Sequence, residues 1–248
     1  MSYAEFLLCF LILPSIVLIG LAWFGQKRLF WPGVIWRHHW QGVAILALIA
    51  FVWTTPWDNH LIARGVWDSP HDRILGKIFY VPIEEYAFFV LMPVLNGAVM
   101  FFLLGWGTIP QSTWRNPQRR LRIVALLLAL VLVGAGTFAL GFSKGTYLGL
   151  ILVWFTPPLL IQWIFDPGVL LRGMRFVLWG TLLPLTYFGL ADQYAIRQGI
   201  WVISETSTTG LGLPDLPLEE LLFFAITSLL LAQGLVLWHS FARHSFES

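Results

Sequence analysis

Seven long apolar stretches dominate the chain, and they restrict its fold class before any motif is considered. Crossing roughly 30 Å of hydrocarbon takes about 20 mostly apolar residues. Stretches near 3–24, 41–57, 83–105, 121–141, 146–165, 174–191 and 217–238 approach that length. A lipid-exposed open sheet would leave backbone groups unpaired, and the runs are too long and continuous for barrel strands, so each is predicted to be a helix. Of the 248 residues, 58% are hydrophobic and 11% charged, and the mean hydropathy is +0.75. A soluble domain carries about 25% charged residues, so an ordinary cytosolic globule is excluded. The expected fold is all-α, an integral membrane bundle of seven transmembrane helices.

Cationic residues then choose the orientation. With the N-terminus outside, the inside segments hold Lys27, Arg28, Arg37, Arg115, Arg119, Arg120, Arg122, Arg172, Arg175 and Arg243, and the outside holds Arg64, Arg73, Lys77, Lys144 and Arg197. This excess favours N-out and C-in, in the cell membrane. The N-terminal run lacks a basic lead-in and a small-residue cleavage site, so it is expected to be a retained helix rather than a signal peptide. The net charge of +2 forms no basic face, so nucleic acid is not expected as a partner. The single cysteine, Cys9, allows neither an intrachain disulfide nor a cysteine-based zinc site.

An internal repeat is the most informative pattern. Asp58-Asn59 is followed by Gly65 and Trp67 and leads to Pro82-Ile83-Glu84-Glu85, with Phe88-Phe89 opening the third span. Asp192-Gln193 is followed by Gly199 and Trp201 and leads to Pro217-Leu218-Glu219-Glu220, with Phe223-Phe224 opening the seventh. The Asp-to-Gly and Asp-to-Trp offsets are identical, and the Trp-to-Pro offset differs by one residue. An even number of spans separates the copies, so both acidic sets are expected on one membrane side. The chain therefore reads as repeat A over 1–108, a connector loop and fourth helix over 109–145, and repeat B over 146–248. The two three-helix repeats run parallel. Pro110–Arg122 forms the inside loop before the connector helix.

Proline suits a first helical turn, where its missing N–H has no partner to lose, so Pro82 and Pro217 are each expected to start a helix. The glutamates that follow sit where free N–H groups and the helix dipole favour carboxylate. A helix cap explains one such segment but not two matched copies. Adjacent helical residues point about 100° apart, so at most one glutamate of each pair faces a shared cavity. Phe88 and Phe223, four residues after Glu84 and Glu219, fall on the same stripe as those acids. Ionisable groups at membrane depth are functional candidates by default, which makes Glu84, Glu85, Glu219 and Glu220 an acid/base set if the repeats converge. Asp58, Asn59, Asp192 and Gln193 are orienting partners or polar helix ends. With fourteen tryptophans in the chain, Trp67 and Trp201 belong by default to an interfacial aromatic belt. The sharper alternative places them with Phe88, Phe89, Phe223 and Phe224 as substrate-lining rings whose faces stabilise a cation.

Other patterns are weaker. Asp68-Ser69-Pro70-His71-Asp72 has no copy in repeat B. His38-His39 is expected in a basic loop at the headgroups. Without a spaced histidine box, a dinucleotide fingerprint or a nucleophile elbow, no metal and no cofactor are expected.

The doubled Pro-x-Glu-Glu run, with its upstream Asp-Asn and Trp, resembles the signature of the flavin-independent lycopene cyclases of the heterodimeric type. Their two small membrane subunits also occur fused in one chain, as here. The match reaches Pro82, Glu84, Glu85, Pro217, Glu219 and Glu220. Copy B departs where Gln193 stands for Asn59 and Leu221 for Tyr86. The resemblance implies an intramolecular lyase or isomerase acting on lycopene and γ-carotene within the lipid bilayer. It also implies β-ionone rings as product, acidic residues of both motifs needed for activity, and neighbouring carotenoid-pathway enzymes as candidate partners. Related members act as other carotenoid end-group cyclases or as hydratases. Redox-neutral cyclisation needs an acid, a base, a dry cavity and faces that stabilise a carbocation. A retinal-binding bundle would need a lysine inside a span, whereas Lys27, Lys77 and Lys144 fall in loops or at their edges. A proton-coupled transporter using the acids as relays is the alternative of a different class.

Overall fold

A computed structural model describes residues 1–27, 34–111 and 118–246, apart from the side chains of 26, 27 and 242–246. Arg28 and Arg115, and the side chains of Lys27 and Arg243, thus lie outside what is described. Seven helices of membrane-crossing length and hydropathy follow in order: α1 (Tyr3–Gly25), α2 (Trp36–Ala63), α3 (Ile83–Gly105), α4 (Arg119–Ala139), α5 (Thr146–Phe165), α6 (Met174–Arg197) and α7 (Leu218–Phe246). A six-residue helix, Pro167–Arg172, links α5 to α6, with Asp166 accepting from the Val169 N–H as its N-cap. The protein is an all-α, multi-pass membrane bundle.

The centre is built by α3 and α7. They pack on each other, α3 also meeting α1, α2 and α6, and α7 meeting α2, α5 and α6. Small residues allow the close crossings: a Cβ on Gly97 would lie 2.5 Å from Val43 Cγ2, and one on Gly42 2.6 Å from the Trp238 ring. Helix α4 lies against α5 at the reciprocal contact of Gly136 with Gly149 and turns most of its side chains outward.

Two helices outrun the apolar stretches that announced them. Helix α2 begins at Trp36 and ends at Ala63, and α6 continues to Arg197, because polar residues near their ends, His39, Asp58 and Asp192, find hydrogen-bond partners inside the protein. His39 is fully buried, contrary to the expected headgroup loop. Its Nε2–H donates to the Gly97 carbonyl at 2.9 Å, which leaves Nδ1 to accept from His239 Nε2–H at 2.9 Å. His38 stacks on Trp238. Both helices stop in matched caps. Val66 N–H bonds back to the Leu61 carbonyl and Ile200 N–H to that of Ala195, around Gly65 at φ +67° and Gly199 at φ +63°. The repeated glycines are those stops.

Beyond each cap the chain forms short strands. β1 (Trp67–Asp68) pairs antiparallel with β4 (Val202–Ile203), placing Asp68 opposite Val202 and Trp67 opposite Ile203. Two hairpins follow: β2 (Lys77–Ile78) with β3 (Val81–Pro82), and β5 (Gly212–Leu213) with β6 (Leu216–Pro217). Pro82 and Pro217 therefore close a hairpin and precede the first helical residue rather than occupying it. Because an edge strand tolerates a residue without an N–H, one proline serves as both strand end and helix entry.

Candidate active site

Both acidic sets lie at the same end of the bundle, the end that carries the N-terminus, where Arg73 donates to the Met1 carbonyl. Within each pair the two glutamates diverge, as the 100° rule requires, and they do so identically in the two copies. Glu84 Oε1 accepts from the Leu75 N–H at 2.7 Å, and Glu219 Oε1 accepts from the Thr209 N–H at 2.7 Å. The first glutamate of each pair thus fastens the loop that precedes its helix. The second one faces inward. Glu85 and Glu220 line a chamber of about 50 Å³ with Asp58, Asp192, Tyr3, Tyr147, Trp57, Trp67, Trp201, Phe88, Phe89, Phe223 and Phe224. Hence the stripe expected for Glu84 and Phe88 belongs to Glu85, whose first-turn position sets it over Phe88 and Phe89.

Asp58 and Asp192 are not polar helix ends emerging into water. They are buried inside the last turns of α2 and α6. Trp67 Nε1–H donates to Asp58 Oδ1 at 2.8 Å and Trp201 Nε1–H donates to Asp192 Oδ1 at 2.8 Å. The strand after each capping glycine swings the indole back onto the helix it has just left. Trp67 and Trp201 are accordingly buried, not belt residues. Asn59 and Gln193 turn away from the chamber. Asn59 accepts from the Tyr80 N–H and Gln193 donates to the Pro214 carbonyl, so each holds a hairpin.

Two tyrosines that lie outside the repeated acidic motifs complete the site. The Tyr3 hydroxyl donates to Glu85 Oε2, and the Tyr147 hydroxyl is hydrogen-bonded to Glu220. Each stands in the first turn of its helix, Tyr3 in α1 and Tyr147 in α5. The signal that would have found them is a shared spacing: Tyr3 and Tyr147 each precede a proline, Pro14 and Pro158, by the same eleven residues.

Aromatic rings form the wall away from the carboxyls. Trp57 stacks on Phe223 at 5.5 Å between centroids, Phe188 on Phe224 at 5.6 Å, and Phe88 meets Phe224 edge-on at 6.3 Å. Among the described residues no Lys, Arg or His lines the chamber. Among the described residues the ion pairs lie elsewhere and at least partly exposed, Asp68 with Lys77 being one of them. That pairing accounts for one member of the Asp68–Asp72 cluster. Among the described residues there is also no group of His, Cys, Asp and Glu arranged to hold a metal.

Comparison with known proteins decides the family. The lycopene cyclase family model matches residues 2–103 and 143–238. The chain belongs to the lycopene cyclase family. The stretch between the matched blocks contains α4, the helix that contributes nothing to the chamber. Among relatives of this cyclase-family chain, the lycopene beta-cyclase of Halobacterium salinarum is 35% identical over 226 residues, covering 91% of each protein. The bifunctional lycopene cyclase/phytoene synthase of Aspergillus oryzae is 31% identical over 211 residues, 84% of this chain and 36% of that protein. Its counterpart in Sporisorium reilianum is 36% identical over 202 residues, 77% of this chain and 29% of that one. No solved structure matches the chain.

Proposed function

We propose that this chain is a lycopene β-cyclase that uses Glu85 and Glu220 as its acid/base pair. The observation that carries the reading is their convergence in one chamber, walled by aromatic rings and, among the described residues, free of cationic side chains. A terminal alkene of lycopene takes a proton from one glutamic acid. The tertiary cation is attacked by the internal double bond, forming the ring C–C bond, and a ring proton leaves to the other glutamate. Atoms and charge balance without an electron carrier. The faces of Trp57, Phe88 and Phe223 attract the transient cation, and exclusion of water keeps it from being captured as an alcohol.

After each turnover the base holds the proton that the acid has lost. Asp58 and Asp192, each within electrostatic reach of both glutamates, provide carboxyls through which it returns. Each keeps one oxygen on a tryptophan N–H and leaves the other, Oδ2, without a donor among the described residues. A buried carboxylate oxygen without a donor is costly, and four uncompensated charges in one apolar space more so. Sharing protons within the cluster removes that cost.

Further parts of this reading are the two parallel repeats, α1–α3 and α5–α7 joined by α4, and an N-out, C-in placement in the cell membrane. The direct pairing of Asp68 with Val202 supports the repeats, since these residues occupy the same place in each copy and a twofold relation would set them opposite each other. The test is expression in a bacterium that accumulates lycopene, with pigment analysis of the membranes. Conversion to γ- and β-carotene is expected, and its loss in Glu85→Gln and Glu220→Gln. Good membrane expression with no altered end group would refute the enzyme reading. Other ring or hydroxyl products would redirect it to a related cyclase or hydratase.

A further inference from the structure

Two apolar cavities lie below the acid chamber, one on each flank of the α3–α7 pair. The larger, about 370 Å³, lies among α2, α3, α5 and α7, and its walls include Ile49, Ala50, Trp53, Thr54, Pro158 and Gln162. The smaller, about 160 Å³, lies among α1, α3 and α6, and its walls include Leu183, Pro184, Tyr187, Phe188, Pro14 and Leu18. These are one place seen twice. The offset of 134 residues from Asp58 to Asp192 carries Ile49, Ala50, Trp53 and Thr54 onto Leu183, Pro184, Tyr187 and Phe188. The offset of 144 from Tyr3 to Tyr147 carries Pro14 and Leu18 onto Pro158 and Gln162.

The two cavities differ where they meet the chamber. The larger shares Phe88, Phe89 and Phe223 with it as a common wall. Among the described residues, the smaller shares no lining residue with it. At the position that Thr54 holds on the first flank, the second has the buried ring of Phe188, stacked on Phe224 of the chamber wall. A proline, Pro184, stands where the first flank has Ala50. Both cavities are rimmed by side chains that point out of the bundle, Ile49 and Ile161 on one side and Leu183 on the other. In a bilayer both face acyl chains, but one of them shares an aromatic wall with the acid chamber.

We propose that the isoprenoid end of the linear polyene enters from the bilayer through the cavity between α2 and α5, past Thr54, and that Phe188 closes the equivalent entrance between α1 and α6. The proposal rests on the cyclase reading and adds to it a route and a specificity-determining pair. The shared wall selects the occupant: a lipid tail could fill either cavity, but an end group must reach Glu85 and Glu220, which line the chamber together with Phe88, Phe89 and Phe223.

The full-length protein in lycopene-accumulating membranes tests this. Thr54→Phe copies onto the first flank the ring that closes the second, and it is expected to slow initial conversion at least tenfold with membrane content and melting temperature kept. Ala50→Phe, at a half-buried position on the same flank, provides the measurement if Thr54→Phe fails to accumulate. Leu183→Phe adds a ring at the rim of the other flank and is expected to stay within twofold of wild type. Loss on the α2 flank alone supports the proposal. Wild-type conversion in both α2-flank variants, equal losses on both flanks, or a loss confined to Leu183→Phe overturns it. Wild-type protein without conversion sinks the cyclase reading instead, which keeps the two failures apart.

Discussion

Removing one hydroxyl from each tyrosine of the chamber isolates a positioning role from a packing role. The Tyr3 ring is buried, with its centroid 5.0 Å from that of Trp201 and 6.3 Å from that of Phe6, and Tyr147 lies 6.3 Å from Trp57. Phenylalanine keeps those ring contacts. What Tyr3→Phe loses is the donor on Glu85, and what Tyr147→Phe loses is the partner of Glu220. A hydrogen bond to a charged group contributes about 1.5–3 kcal/mol, and about 1.4 kcal/mol corresponds to tenfold in rate. If the hydroxyl aims the glutamate at the substrate, the variant matched to the slower proton transfer is expected to lose about tenfold to hundredfold in turnover. The assay is the initial rate of cyclic carotene formation in membranes, normalised to cyclase content. Melting temperatures in detergent provide the control, because a purely structural hydroxyl would lower stability and leave the rate per folded molecule unchanged. Wild-type rates in both variants, alongside inactive Glu85→Gln and Glu220→Gln, would refute the positioning argument.

Glu84 and Glu219 should behave unlike their neighbours. Each uses Oε1 as a backbone acceptor, which a glutamine carbonyl reproduces. Glu84→Gln and Glu219→Gln should therefore keep conversion within tenfold. Glu84→Leu and Glu219→Leu should cost about 1–3 kcal/mol of stability by stripping the acceptor from a loop N–H, read as a lowered melting temperature. The chamber that holds both Glu85 and Glu220 also predicts the order of products. One ring forms per visit, so γ-carotene should build up early in a time course and β-carotene follow after a lag. Equal appearance of β-carotene from the first time point, with no monocyclic product, would argue against one chamber serving both ends.

The bundle was legible because hydrocarbon leaves the backbone few options, and seven stretches named seven helices. Their ends were less legible. Hydropathy stopped at Trp57, but α2 runs on because Asp58 has the Trp67 indole to accept from, a partner supplied by residues beyond the helix. His39 looked like a headgroup residue for the same reason: its partners, Gly97 and His239, come from α3 and α7. In the site, the repeat exposed every carboxyl but not which of each pair turns inward, since a first-turn position next to a hairpin offers both a loop N–H and a cavity. Tyr3 and Tyr147 carried no such mark, because they lie far in sequence from the repeated acids and a tyrosine at a helix start is ordinary in a membrane protein. Pro14 shows what such spacing was tracking. Proline cannot bond the carbonyl four residues earlier, and the Phe10 carbonyl so released, within the π-helical segment Leu8–Ile12, accepts from Tyr187 across the smaller cavity.

A doubled site raises a problem that its symmetry cannot solve. If both halves were identical, Glu85 and Glu220 would have equal claims to be acid and base, and two equal entrances would admit two polyenes to one chamber. The departures between the copies fall where that degeneracy has to be broken. Tyr86 donates to the Ile78 carbonyl and lies beside Asn59, whereas Leu221 and Gln193 take those places in the second copy, so the hairpins that lead into the two glutamate-bearing helices are held differently. Thr54 and Phe188 make the flanks unequal. With the polyene admitted from one side, its terminal alkene and its ring proton meet the two glutamates in a fixed order, and a repeated acid becomes an acid and a base. Exchanging the flanks, by Thr54→Phe combined with Phe188→Thr, is the perturbation under which that order should invert or conversion should cease.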